Sequence, residues 1–294
     1  MATGVDQPLL PSVSVVIPAL NVAGTIGAQL EGLAAQDYEG TWEVVVADNG
    51  CTDETEAVVS TFADRLPALQ WVDASTRRGI NHARNEGARA ASGELLLFCD
   101  GDDIVTQGWI GSMVAALDDG EAVGGALEYG RLNNNRRQGV EIPNSLVKPD
   151  FLPSPFGANC GVRRSTWEQV GGFDEGLDRG ACDETDFFWR VQLAGGNLVI
   201  APAAVVHYRL RDDPRAEARK AFRNTRERAR LHKRFRSQGY QRRPVLLTLK
   251  NWVWVIATLP LAAVSPRFRD RWLPKAAQPT GRLVGSIRYR TLYL

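Results

Sequence analysis

The stretch from Glu94 to Asp103 constrains this chain most. An apolar run, Leu95-Leu96-Leu97-Phe98-Cys99, stops at three carboxylates within four residues, Asp100, Asp102 and Asp103. A short, continuous apolar run of this kind reads as a buried strand, and it delivers the charges to its own carboxyl end. In open α/β sheets ligands gather beyond that edge. Clustered carboxylates there are hard oxygen ligands suited to Mg²⁺ or Mn²⁺, and a divalent ion so held would clamp a diphosphate. The plainer alternative is an acidic turn that caps a helix starting near Gln107.

The flanking sequence repeats the same theme. Val13 to Ile17 is a β-branched run ending at Pro18, followed by helical spacing from Thr25 to Ala35. Glu43 to Ala47 precedes the turn residues Asp48-Asn49-Gly50, and Thr52 or Asp53 is placed to cap a helix through Phe62. Leu69 to Val72, Ile80 to Ala91, Glu94 to Cys99 and Trp109 to Leu117 continue as strand, helix, strand, helix. This alternation implies an α/β fold with a mostly parallel sheet flanked by helices. The pattern weakens between Gly120 and Pro155, where Asn133 to Arg137 reads as a solvated loop. Gly157 to Val162, Asp183 to Ala194 and Leu198 to Tyr208 then read as strand, helix and strand.

Four cysteines, at 51, 99, 160 and 182, contain no CxxC pair, and no secretory signal precedes the first strand. A reducing cytoplasmic setting is the expectation. The net charge of +1 hides a strong asymmetry. Residues 1–208 hold 13 basic and 29 acidic side chains, an acidic excess of 16, whereas residues 209–294 hold 22 and 5, a basic surplus of 17. The expected division is an extension at 1–11, an α/β domain at 12–210 and a basic, partly hydrophobic helical appendage at 211–294.

Several short pieces, in order, carry a resemblance. They are Val15-Val16-Ile17-Pro18-Ala19-Leu20-Asn21, Val46-Ala47-Asp48-Asn49-Gly50-Cys51-Thr52-Asp53, Ala83-Arg84-Asn85-Glu86-Gly87 and Asp100-Gly101-Asp102-Asp103, then Gly157-Ala158-Asn159, Gly171-Gly172-Phe173-Asp174, Asp183-Glu184-Thr185-Asp186 and Val205-Val206-His207. Together, over roughly residues 12–210, they resemble the family-2 glycosyltransferases of GT-A fold. The resemblance implies an inverting, metal-dependent transfer of one sugar from a nucleotide-diphospho-sugar donor to a glycan or lipid-linked acceptor in envelope or polysaccharide synthesis. It implies Asp102 as direct ligand of Mn²⁺ or Mg²⁺, with His207 near the metal or diphosphate. Asp100 would hold the donor's ribose or the metal's waters, Gly101 would help bind the donor, and Asp103 would do either or simply cap the next helix. Pro18, Ala19 and Asn21 would help bind the donor, and Asp48 would recognise its base. The family usually has a second acid beside Asp48, where this chain has Asn49. Arg78 and Arg84 fall where basic groups could face the diphosphate, Arg84 matching the family position more closely.

An inverting transfer also needs a general base. The family order at the start of the 183–194 helix is Glu-Asp with the second residue as base, which maps the role onto Glu184; because the pair is reversed here, Asp183 is the alternative. Acids at a helix start also stabilise its dipole. His82 and His232 receive no role. The competing readings are a nucleotidyltransferase and a non-catalytic sugar-nucleotide-binding protein.

In the basic tail, Arg215 to Arg236 reads as a helix able to lie on anionic headgroups. Val245 to Val264 offers about the ~20 apolar positions a membrane span needs, flanked by Arg242-Arg243 and by Arg267, Arg269 and Arg271. An interfacial helix is favoured over a span, with a soluble packing helix as the remaining alternative. The expected location is therefore peripheral, at the inner face of the cell membrane. No nucleic-acid partner is expected, since the tail lacks interleaved aromatic platforms for bases. Processive members of the family carry Gln-x-x-Arg-Trp and several membrane spans. Here Phe268 replaces the glutamine before Arg271-Trp272, which fits single addition.

Overall fold

Four of the apolar runs form the parallel half of one sheet in the computed structural model, which describes residues 10–134, 138–142, 144–147, 149–177, 180–210 and 213–293. β1 (Val13–Ala19), β2 (Trp42–Asp48), β3 (Leu69–Asp73) and β4 (Leu95–Cys99) lie in the order β3-β2-β1-β4. They are linked by α1 (Ala23–Ala34), α2 (Thr55–Ser60) and α3 (Ile80–Ala90). Parallel strands covered on both faces must be apolar on both, and every residue of β4 is buried. Gly87 lets α3 close on β1: a Cβ there would stand 2.5 Å from Val16 Cγ1.

The second half of the sheet is mixed. β5 (Ile104–Val105), β6 (Ala122–Glu128), β8 (Asn159–Arg163) and β9 (Leu198–His207) extend it as β4-β8-β6-β9-β5, and β7 (Val140–Glu141) pairs with β6. β8 runs antiparallel to both β4 and β6, and β5 antiparallel to β9. Thus β4, β6 and β9 still point the same way. α4 (Trp109–Leu117), α5 (Asn144–Val147), α6 (Arg164–Val170) and α7 (Asp183–Leu193) complete the element order. β6 lies in the stretch where the sequence signal fades, because Gly124 and Gly125 dilute its apolar pattern. Asn133 also departs from a solvated loop. It is buried, and its Nδ2 donates to the carbonyls of Tyr129 and Tyr208 at 2.8 and 2.7 Å; residues 135–137 lie outside the described residues.

The chain divides into two compact units, the first being 1–175 with 187–209 and the second 176–186 with 210–294. The second therefore takes Gly176–Asp186 from the stretch that sequence alone assigns to the α/β domain. It contains α8 (Pro214–Phe235), α9 (Val245–Val264) and α10 (Pro266–Arg288). Asp213 caps α8 by accepting from Arg215 N at 2.8 Å, with Pro214 in the first turn. α10 is hidden in the sequence by Pro274 and Pro279 inside it. It packs tightly on α8 through Gly281 and Gly285, where a Cβ would collide with the carbonyls of Phe222 and Arg226. Across this seam the Tyr289 hydroxyl lies 2.7 and 2.8 Å from the two oxygens of buried Glu227. The hydroxyls of Tyr240 and Tyr293 meet at 2.7 Å.

Candidate active site

Strand direction and register gather the chemistry at one edge. Ala19 pairs with Asp48, and Glu128 with His207, so the carboxyl ends of β1, β2, β4, β6 and β9 open together. Pro18, Ala19, Asp48, Asp100, Glu128 and His207 all stand there.

The loop after β4 is held from below by α1. Thr25 Oγ1 donates to Gly101 O at 3.1 Å, and buried Gln29 donates to Asp100 O at 3.0 Å while accepting from Val105 N at 2.9 Å. With its backbone pinned, the loop brings ligand oxygens of Asp100, Asp102 and Asp103 within 4.8 Å of one another. Asp103 is 1% exposed; its Oδ1 accepts from Arg209 N at 2.7 Å, and its Oδ2 has no hydrogen-bond partner among the described residues. Burial, then the neighbouring charges of Asp100 and Asp102, push its carboxyl well above the usual range. Asp103 therefore binds the β9 exit instead of capping α4. Arg209 also donates from Nε to Asp102 O at 2.9 Å. An all-oxygen cluster with an orphaned buried carboxylate oxygen fits a hard divalent cation.

Arg84 departs from its expected place. It is 2% exposed, its Nη2 donates to Asp100 Oδ1 at 3.2 Å, and its guanidinium lies 5.5 Å from the Phe173 ring centre. Buried behind Asp100, it positions that carboxylate and is not open to a diphosphate. Arg78 is exposed and lies over Gly50, where a Cβ would meet its guanidinium carbon at 3.4 Å.

The turn after β2 is built from side chain to backbone. Asp48 Oδ1 accepts from Gly50 N and Cys51 N at 2.9 and 2.7 Å, an Asx turn that leaves Oδ2 unused by the turn. Asn21, at φ 54°, accepts from Thr52 N at 2.8 Å and so ties the β1 loop to it. Asn49 is buried: its amide nitrogen donates to Ala74 O and Arg77 O, both at 2.8 Å, and its oxygen accepts from Gly79 N at 2.7 Å. An aspartate could not donate, which explains the amide at this position.

His207 is likewise not brought into the acidic cluster. Its Nδ1 lies 2.7 Å from Glu128 Oε2 and its Nε2 is 3.2 Å from Arg131 Nη1. Arginine can only donate, so Nε2 accepts and Nδ1–H donates to Glu128; both ring nitrogens are engaged. Elsewhere, Asn85 exchanges bonds with Phe173 N and O at 2.9 Å each and with Glu175 Oε1 at 2.9 Å. The Arg84-Asn85 and Gly-Gly-Phe-Asp motifs thus form one structural joint, and His82 belongs to it through Glu175 at 3.0 Å.

In the second unit, α7 starts after Cys182, a non-glycine residue at φ 58°. Asp183 is 2% exposed and Asp186 fully buried, the latter accepting from Arg234 Nη1 at 2.8 Å. Glu184 is only partly buried. Sequence reading missed Thr25, Gln29 and Arg209. Gln29 left a trace, as a polar residue on the apolar stripe of α1 formed by Ile26, Leu30 and Leu33.

Residues 14–170 match the model of glycosyl transferase family 2. The glycosyltransferase AglE of Haloferax volcanii is 30% identical over 204 residues, 65% of each chain. The GalNAc(5)-diNAcBac-PP-undecaprenol beta-1,3-glucosyltransferase of Campylobacter jejuni is 27% identical over 153 residues, 50% of this chain and 49% of its own. The chain thus spans less than two thirds of the length of either curated relative. Among solved structures, the mannosyltransferase PcManGT from Pyrobaculum calidifontis, in complex with GDP-Man and Mn²⁺, superposes with a TM-score of 0.67 at 21% identity, covering 97% of this chain and 91% of that one. That likeness establishes the GT-A fold.

Proposed function

Because the chain belongs to glycosyltransferase family 2, we propose that it moves a single sugar from a nucleoside diphosphate donor to the hydroxyl of a lipid-linked acceptor, with inversion, at the cytoplasmic face of a membrane. The observation that carries this reading is the acidic cluster at the carboxyl edge of the sheet, with its orphaned Asp103 oxygen. Asp102 and Asp103 would hold Mn²⁺ or Mg²⁺. A cation so held neutralises charge on the departing diphosphate. Asp100, fixed by Arg84, serves the donor ribose or the cation's waters. Pro18, Ala19, Asn21 and Gly101 supply the wall of the donor site, and the outer oxygen of Asp48 accepts a base N–H. Arg78, exposed beside Gly50, is the arginine available to phosphate oxygens. His207 stays outside the ligand set.

In the transfer, the acceptor oxygen attacks the anomeric carbon as the bond to the diphosphate breaks, and Glu184 takes the acceptor proton. Partial exposure favours Glu184 over the buried Asp183. The polyprenol-linked chemistry in the printed name of the Campylobacter relative supports a lipid-linked acceptor. A thermal-shift screen of uridine and guanosine diphospho-sugars, with and without Mn²⁺, tests the donor reading. A rise in melting temperature that requires both nucleotide and metal is expected; stabilisation by none of them would reject it.

A further inference from the structure

The second unit contains an apolar surface that the sugar-transfer chemistry does not use. α9 is the one helix among the described residues long and apolar enough to cross a membrane, and Lys250 is its single charged side chain. Only Thr248, Val255 and Ala262, spaced by seven, are buried. The remaining arc is open, with Leu246, Val253, Ile256 and Val264 each at least 65% exposed.

Both ends of this helix are tied into one packed unit. α8 precedes it, and Ser265 alone separates it from α10. α10 turns straight back: Trp272 Nε1 donates to Thr258 Oγ1 at 3.0 Å, and the Lys275 ammonium lies 5.2 Å from the Trp254 ring centre. Further along, α10 closes on α8 at Gly281 and Gly285. Were α9 to cross a bilayer, α10 would have to stay on the far side or return through the lipid. The first option tears the α8 seam open and strips Glu227 of Tyr289. The second drags Arg267, Arg269, Asp270, Arg271 and Lys275 through hydrocarbon, where each charge is costly.

We infer that α9 is a monotopic anchor lying in the plane of one leaflet, its open arc among the acyl chains and the arginines beyond its two ends at headgroup level. The occupant of the apolar arc is an anionic phospholipid leaflet. Arg242 and Arg243 precede the helix and Arg267, Arg269 and Arg271 follow it, so pairing with a second copy, parallel or antiparallel, would set arginine against arginine. Anionic headgroups neutralise both ends at once. The inference deepens the membrane-face reading of the proposed function and rests on it for the anchor's purpose, though not for its geometry.

The test uses the full chain added to preformed vesicles of phosphatidylglycerol and phosphatidylcholine. Wild type cosediments, and Val253→Lys with Ile256→Lys lowers partitioning at least tenfold without changing the melting temperature, since both positions are exposed. Two further variants, Glu217→Cys before α9 and Arg269→Cys after it, are exposed to a membrane-impermeant maleimide. Equal labelling before detergent is expected; Arg269→Cys protected until detergent is added would establish a span and overturn the inference. Failure of wild type to cosediment would overturn it, as would a solution dimer abolished by the lysine variant. Mn²⁺-dependent nucleotide binding, measured on the same samples by calorimetry, should be unchanged by the lysines. Its absence from wild type that still binds vesicles would reject the donor reading and leave the anchor standing.

Discussion

Asp103 in the first unit and Glu227 in the second are equally buried, at 1% exposure each, yet they are built for opposite ends. Glu227 is saturated: the Tyr289 hydroxyl reaches both its oxygens and Arg226 Nε lies 3.0 Å from one. Asp103 keeps one oxygen without a partner among the described residues and stands beside two more carboxylates. A buried charge is costly unless paired. At the sheet edge burial and like charges disfavour the ionised form of Asp103, which a cation would favour, whereas the helical unit gives its buried acid hydrogen-bond donors. Burial alone therefore does not separate the two acids; the unmet lone pair among like charges does.

That contrast is broken most directly at Asp102. Asp102→Ala should weaken Mn²⁺-dependent nucleotide binding roughly a thousandfold, the scale of several kcal/mol a metal contributes, while the melting temperature of the free protein holds or rises. Calorimetry with nucleoside diphosphate and Mn²⁺ decides; undiminished affinity removes Asp102 as ligand. Glu184→Gln should preserve that binding and lower transfer about a hundredfold. A nearly silent Glu184→Gln beside a crippling Asp183→Asn, read as initial rates of sugar transfer, would move the base by one residue.

Asn49→Asp sharpens the comparison by placing a carboxylate in the first unit where the structure needs a donor. The bonds to Ala74 O and Arg77 O would be lost, at about 2–3 kcal/mol, and chemical denaturation should detect it. A stability equal to wild type would show that the amide is dispensable there. The smallest effect concerns Tyr289→Phe, which removes the donor to Glu227 and should cost about 1–2 kcal/mol without touching nucleotide affinity. Burial, then the bond to Glu227, raises the Tyr289 hydroxyl to about 12 from its ordinary 10.0. Between those values the unfolded chain has lost a proton that the folded one keeps. Stability should then fall as pH rises from 10 toward 12, and this decline should be reduced in Tyr289→Phe. An equal decline in both proteins would assign it elsewhere.

The site was legible where one residue type does one job in one place. Asp100, Asp102 and Asp103 follow a buried strand, and a parallel sheet aligns such ends, so the cluster could be read directly. Arg84 and His207 are less legible, because their chemistry permits two uses and only their neighbours choose between them. Arg84 faces Asp100 and Phe173 inside the protein, and His207 has Glu128 and Arg131 on its two nitrogens. Thr25, Gln29 and Arg209 act through backbone atoms of the acidic loop, and backbone partners leave no residue-specific signature.

Sequence alone determined the strand and helix alternation of the first half, the family, the acidic cluster, and the extent of α9, Val245–Val264, which the structure reproduces residue for residue. These are local matters of periodicity, turn chemistry and motif order. Tertiary structure decided the antiparallel insertion of β8, the place of β6 and the existence of α10, whose prolines speak against a helix while the α8 seam sustains it. It also decided that both ends of α9 return to the same packed unit. Hydropathy measures how apolar a segment is, and only the contacts beyond its ends restrict which way it can lie.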